Sequence, residues 1–188
     1  MIEKTENTKI TNRLVEILST KKAKYIIGTV LLSVFGVALP RIFHILAGAS
    51  SGQTFLPMHI AVLIAALTFG ALSASIVAGS SIVFSYLLTG MPTIERLPYM
   101  IIELVIYALL LGILNKKFNS YVSLIVTIIL GRILYAGVLF MATDVLGLSA
   151  YGISVIQSIQ AGLPGIAIQL ICIPFVAKTI KKGIHLDD

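Results

Sequence analysis

LPMHIAVLIAALTFGALSASIVAGSSIVFSYLLT, residues 56–89, is the stretch on which the architecture turns. Its 34 residues contain no lysine, arginine, aspartate or glutamate. As one helix it would run about 51 Å at about 1.5 Å per residue, far beyond a hydrocarbon layer of about 30 Å. As two consecutive spans, Leu56 to Leu72 and Ser73 to Thr89, it fits. Small residues recur through it at four-residue spacing: Ala66, Gly70, Ala74 and Ala78, and beside them Ala71, Ser75 and Gly79. Such ladders let helices approach closely in lipid, and packing inside one bundle is the simpler use of them; docking to another membrane protein is the other.

Working outward, four more apolar blocks have spanning length: Tyr25 to Leu46, Leu97 to Leu114, Val122 to Ala142 and Ile159 to Ile180. The count is therefore six. Charge agrees with it. Most of the cationic residues gather before Tyr25 (Lys4, Lys9, Arg13, Lys21, Lys22, Lys24), at Lys116 and Lys117, and at Lys178, Lys181 and Lys182. With six spans these three clusters share one face, the cytoplasmic face under the positive-inside rule. Five or seven spans would divide them. The expectation is an all-α integral membrane protein of six transmembrane helices with both termini cytoplasmic. Residues 1–24 form the N-terminal segment, 25–180 the membrane domain and 181–188 a tail.

Composition excludes other classes. The chain is 57% hydrophobic and 12% charged, against about 25% charged in soluble domains. Net charge is +6, but the basic residues bracket apolar blocks and form no stripe for nucleic acid. Cys172, the only cysteine, lies in an apolar run, so no internal disulfide forms. The first apolar run is too long for a signal peptide. Tryptophan is absent, which leaves Tyr25, Tyr99, Tyr121 and Tyr151 as candidate interfacial residues.

An ionisable residue inside a span is a functional candidate by default. Glu103 lies one or two turns into the fourth span and Arg132 near the middle of the fifth. Tyr99, Glu103 and Tyr107 share one helix face; Arg132, Tyr135 and Leu139 share another. Either the acid and the guanidinium only neutralise each other, or they line a solute cavity between spans four, five and six. We favour the cavity. Gln157, Gln160 and Gln169 on the sixth span add amides able to donate and accept. Gln169 is as readily an interhelical hydrogen bond. Gly162-Leu163-Pro164-Gly165 is expected to loosen that helix. His44 and His59 fall near span ends at the outer interface, without ligand spacing for a metal. The Gly- and Ser-rich segment 47–54 reads as a mobile gate, and 89–98, with Pro92 and Pro98, as a shaped connector.

Several of these pieces occur together in a known pattern. Leu56-Pro57-Met58-His59-Ile60-Ala61-Val62-Leu63, Ser85-Tyr86-Leu87-Leu88-Thr89-Gly90-Met91-Pro92, Glu103-Leu104 to Tyr107, Gly131-Arg132 and Leu163-Pro164-Gly165-Ile166 resemble, in order and spacing, the substrate-binding (S) components of energy-coupling factor vitamin transporters. The resemblance runs from about Lys24 to Lys178. It implies a six-helix subunit in a bacterial plasma membrane that captures a water-soluble vitamin or precursor from outside. It further implies an EcfT-like transmembrane coupling protein and two ATPases as partners, and no cofactor of its own. Glu103, Arg132, Tyr99, Tyr107, Tyr135, Gln157, Gln160, Gln169 and His59 would then bind substrate. Many such subunits dock through Ala-x-x-x-Ala in span one; here Thr29, Ser33 and Gly36 stand in that region. The Leu-Pro-Met-His type looks most like pyridoxine- or hydroxymethylpyrimidine-related members, with pantothenate as the alternative. A membrane-embedded hydrolase, using Glu103 with the histidines, is the rival of another class. A second histidine or acid facing Glu103 would favour it.

Overall fold

Gly70 breaks the 56–89 stretch in two. Its φ of 86° is open to glycine and ends one helix as the next begins. The break falls two residues before the expected division. The computed structural model describes residues 20–48, 51–142 and 155–184, and these form seven helices and no strands. They are α1 (Lys21–Ala47), α2 (Ser51–Phe55), α3 (Pro57–Phe69), α4 (Ala71–Thr89), α5 (Leu97–Leu114), α6 (Ser120–Phe140) and α7 (Val155–Gly183). Lys4, Lys9, Arg13, Asp144, Tyr151 and the side chain of Gln157 lie outside the described residues.

Five helices (α1, α4, α5, α6 and, from Gln160, α7) are long and apolar enough to cross a membrane. α3 is not. Its 13 residues reach about 20 Å, short of the hydrocarbon thickness. The expected second span, Leu56 to Leu72, is corrected accordingly. α3 need not cross lipid unaided, because it sits inside the bundle with all but one of its residues buried. α1, α4, α5 and α7 pack around it, and α6 completes the ring between α5 and α7.

The bundle is apolar outside and polar within. Ile26, Val34, Ile45, Leu72, Leu87, Ile133 and Phe175 are exposed. Ser81, Ser85, Ser123 and Thr127 are buried with the charged residues. A protein in water has the opposite arrangement; hydrocarbon favours this one.

Local chemistry sets the helix ends. Thr20 and Asn119 cap α1 and α6, accepting from Ala23 N at 3.2 Å and Val122 N at 2.9 Å. Pro57 and Pro98 stand in the first turns of α3 and α5, where a missing N–H is harmless. At the opposite end of the chain, Lys24 Nζ donates to Ile184 O at 2.8 Å, tying the start of α1 to the end of α7.

Three local expectations change. Residues 51–55 of the supposed gate are helical, α2, and rest on α7 and α1. α7 continues through Pro164 and Pro174 as one helix of 29 residues. The Gly-Pro-Gly run therefore does not unwind it. Instead Gly165 brings α7 onto the α2–α3 link, where an added Cβ would stand 2.6 Å from Thr54 O. Thr29, Ser33 and Gly36 form an internal seam of α1 rather than a free docking face. Thr29 and Gly36 are buried, Ser80 Oγ donates to Ser33 Oγ at 2.8 Å, and a Cβ on Gly36 would meet Ser81 Oγ at 2.4 Å.

Gly112 does for the α3–α4 break what Gly165 does for the other: a Cβ there would lie 2.4 Å from Ala71 N. Gly112→Val and Gly165→Val are each expected to destabilise the bundle by about 1–3 kcal/mol or more through forced backbone shifts. Gly79→Ala, whose Cβ meets nothing within 4 Å, is expected to be tolerated. Thermal unfolding of the three purified variants in detergent separates these outcomes.

Candidate functional site: a buried acid, guanidinium and imidazole

Glu103 enters the interior from α5, two turns in, and Arg132 from the middle of α6. Arg132 Nη1 donates to Glu103 Oε1 at 2.9 Å. The two side chains are 9% and 8% exposed, so neither relies on bulk water for its charge. Charge-assisted bonds of this length are among the stronger ones available to a side chain, and desolvation is their counterweight.

A third group joins them. His59, in the first turn of α3, places Nε2 3.6 Å from the same Glu103 oxygen. That is a close approach but longer than a hydrogen bond. Nε2 is buried and has no hydrogen-bond partner. The expectation of His59 at the outer rim is thus corrected: burying α3 draws its first turn inside. The His59 ring meets the Tyr107 ring edge-on, with centroids 5.2 Å apart.

Tyrosines wall this cluster. Tyr99, Tyr107 and Tyr135 are 9%, 2% and 3% exposed. Tyr107 is seated against α6 by Gly131, where a Cβ would fall 2.9 Å from its Cζ. Tyr99 and Tyr135 pack together with Leu139 and Ala142. The Tyr135 hydroxyl lies within electrostatic reach of Glu103, Arg132 and Arg96, and that of Tyr107 within reach of Arg132 and Glu103. None of the three hydroxyls makes a hydrogen bond to another described residue. Buried phenols normally find a partner, so these three have donor and acceptor capacity to offer something else. Tyr99 is accordingly an interior residue and not part of an interfacial belt; Tyr25 and Tyr121 are exposed.

The glutamines separate from the site. Gln169 is buried, but its Nε2 donates to Phe55 O and Leu56 O at 3.3 and 3.4 Å. It satisfies carbonyls at the α2–α3 link, where Leu56 adopts a left-handed φ of 48°. Gln160 is exposed. The structure thus brings Glu103, Arg132, His59, Tyr99, Tyr107 and Tyr135 together and commits Gln169 to holding the backbone. Asn115 plays the matching part at the far end of α3, donating from Nδ2 to Leu67 O at 3.4 Å. Sequence reasoning passed over Asn115, a lone amide beside two lysines that nothing local distinguishes. It also passed over Arg41, exposed on the far half of α1 from Lys21, Lys22 and Lys24.

Among the described residues no group of three or more His, Cys, Asp or Glu could hold a metal ion. Comparison with protein-family models, curated proteins and solved structures found no match.

Removing one member of the pair strands the other in the interior. Glu103→Leu and Arg132→Met are each expected to cost about 3–5 kcal/mol, and the double variant less than their sum. Gln169→Leu is expected to cost about 1 kcal/mol, the scale of interhelical hydrogen bonds in membranes. Reversible unfolding in detergent or mixed micelles measures all four.

Proposed function

We propose that this protein is the solute-capture subunit of an ATP-driven importer of the energy-coupling factor type, binding a small water-soluble vitamin or precursor. One observation carries the reading. Inside an apolar bundle, an acid–guanidinium pair stands beside a buried imidazole and three tyrosine hydroxyls without hydrogen-bond partners. A pair kept only for packing needs no such surplus, and apolar residues would replace it readily. The resemblance in five sequence blocks supports the same assignment.

The site lies toward the end of the bundle where α5 begins and α6 finishes. The lysines Lys21, Lys22, Lys24, Lys116, Lys117, Lys181 and Lys182 lie at the other end, which under the positive-inside rule is cytoplasmic. Arg41 and Arg96 run against that bias and are outnumbered. Capture is then from outside. Delivery requires a coupling protein and ATPases, with the subunit reorienting as they turn over. Because Thr29, Ser33 and Gly36 are occupied internally, the docking surface for the coupling protein is assigned to the exposed apolar faces of the outer helices. A pyridoxine- or hydroxymethylpyrimidine-like ligand is the first choice and pantothenate the second.

One contact, His59 against Glu103, also meets in part what an embedded hydrolase would need. Arg132 holds the same Glu103 oxygen that His59 approaches, which leaves the acid engaged. Turnover of ester or peptide probes by the purified protein, abolished by Glu103→Gln, would establish that alternative.

Titration calorimetry of the purified subunit against a water-soluble vitamin panel is expected to find one ligand at nanomolar Kd, about −12 kcal/mol. Tyr107→Phe and Tyr135→Phe should weaken it with little change in unfolding temperature. Absence of binding across the panel, with both tyrosine variants transporting normally in cells, would sink the proposal.

A further inference from the structure

We infer that the Glu103–Arg132 site selects a ligand carrying no net charge, one that donates hydrogen bonds to the acid and exchanges them with the phenols while the ion pair stays closed. This rests on the binding reading above and goes beyond it by fixing the ligand's charge class.

The argument is one of local charge balance. Arg132 and Glu103 are in contact at 2.9 Å, and each is more than nine-tenths buried. Each is the other's compensating charge. A ligand carboxylate could reach Arg132 only by displacing Glu103, which would strand one carboxylate beside another in a dry interior. A ligand ammonium could reach Glu103 only by displacing Arg132, with the same result in the opposite sign. Both exchanges give up a made charge-assisted bond and leave a buried ion unpaired. A neutral ligand needs neither.

The unused capacity has the matching chemistry. Both recorded approaches to Glu103 go to Oε1, from Arg132 Nη1 and His59 Nε2. Oε2 makes no hydrogen bond to a described residue, so it accepts from a ligand O–H or N–H. The hydroxyls of Tyr99, Tyr107 and Tyr135 can each donate or accept. His59 Nε2 is buried, lacks a hydrogen-bond partner and points at the same centre. The set calls for a polar, hydroxyl- or amide-bearing molecule. Arg96, half-buried at the start of α5 and within reach of Tyr135, is the remaining guanidinium near the cluster, and the test must include it.

The test uses matched ligands that differ in charge and little in shape: pyridoxine, pyridoxamine and 4-pyridoxic acid; panthenol and pantothenate; nicotinamide and nicotinic acid. Binding to the full-length purified subunit is measured by calorimetry and by ligand-induced thermal shift. In whichever series binds, the neutral member is expected to be tighter by at least about tenfold. Glu103→Gln, which frees Arg132, is expected to shift preference toward the carboxylate member. Arg132→Gln is expected to shift it toward the ammonium member. A merely structural pair would weaken all members alike. Equal or tighter binding of the carboxylate by the unaltered protein, abolished by Arg96→Gln or not, overturns the inference but leaves the binding reading standing. Silence across all three series overturns the binding reading, and the inference with it. Should either variant fail to fold, the preference of the unaltered protein still decides.

Discussion

A helix too short to cross the membrane lies at the centre of this bundle, and the other elements are arranged around that fact. α3 has 13 residues, and both of its ends stop inside the protein. Broken helix ends expose carbonyl and amide groups, and hydrocarbon offers them no partner. The surrounding helices meet the demand by similar means at the two breaks. A glycine (Gly165 or Gly112) lets a neighbouring helix come against the backbone, and an amide (Gln169 or Asn115) donates to exposed carbonyls. Residues that looked like candidates for ligand contact or for loosening a helix are in this way committed to holding α3.

The same placement creates the polar centre. A spanning α3 starting at a membrane surface would leave His59 near the interface. Drawn inward, it faces Glu103, and the ion pair between α5 and α6 becomes a three-helix junction. The polar groups are the means by which α3, α5 and α6 are held in one register, since a mismatch of even one turn would strand a charge. Packing of apolar surface alone is far more forgiving.

How much of this was legible in sequence depended on whether the signal was local. Span number followed from length and charge, because hydrocarbon thickness and the cost of burying lysine act on each segment separately. The inward faces of α5 and α6 were legible too: residues spaced by four on one helix share a face. What failed were statements needing a neighbour's position. His59 looked peripheral because its distance from a span end says nothing about whether that end reaches the surface. Thr29, Ser33 and Gly36 looked like an outward stripe because small residues suit any close helix contact, inside or out. Gln169 was readable both ways, and only the left-handed turn at Leu56 beside it decides between them. Proline and glycine in α7 signalled a kink by their propensities, and tertiary packing overrode them.

α1 and α7 pack little on each other directly, although they are neighbours in the ring around α3. Two things bridge that seam: α2 at one mouth, and at the other a single ammonium–carbonyl bond from Lys24 to Ile184. Like a barrel hoop fastened by one rivet, the circle of helices has a preferred line of parting. Any motion that admits lipid tails or lets the central helix slide would open there first. Everywhere else a crack must tear interlocked side chains, while along this line it loses one bond and a short helical turn.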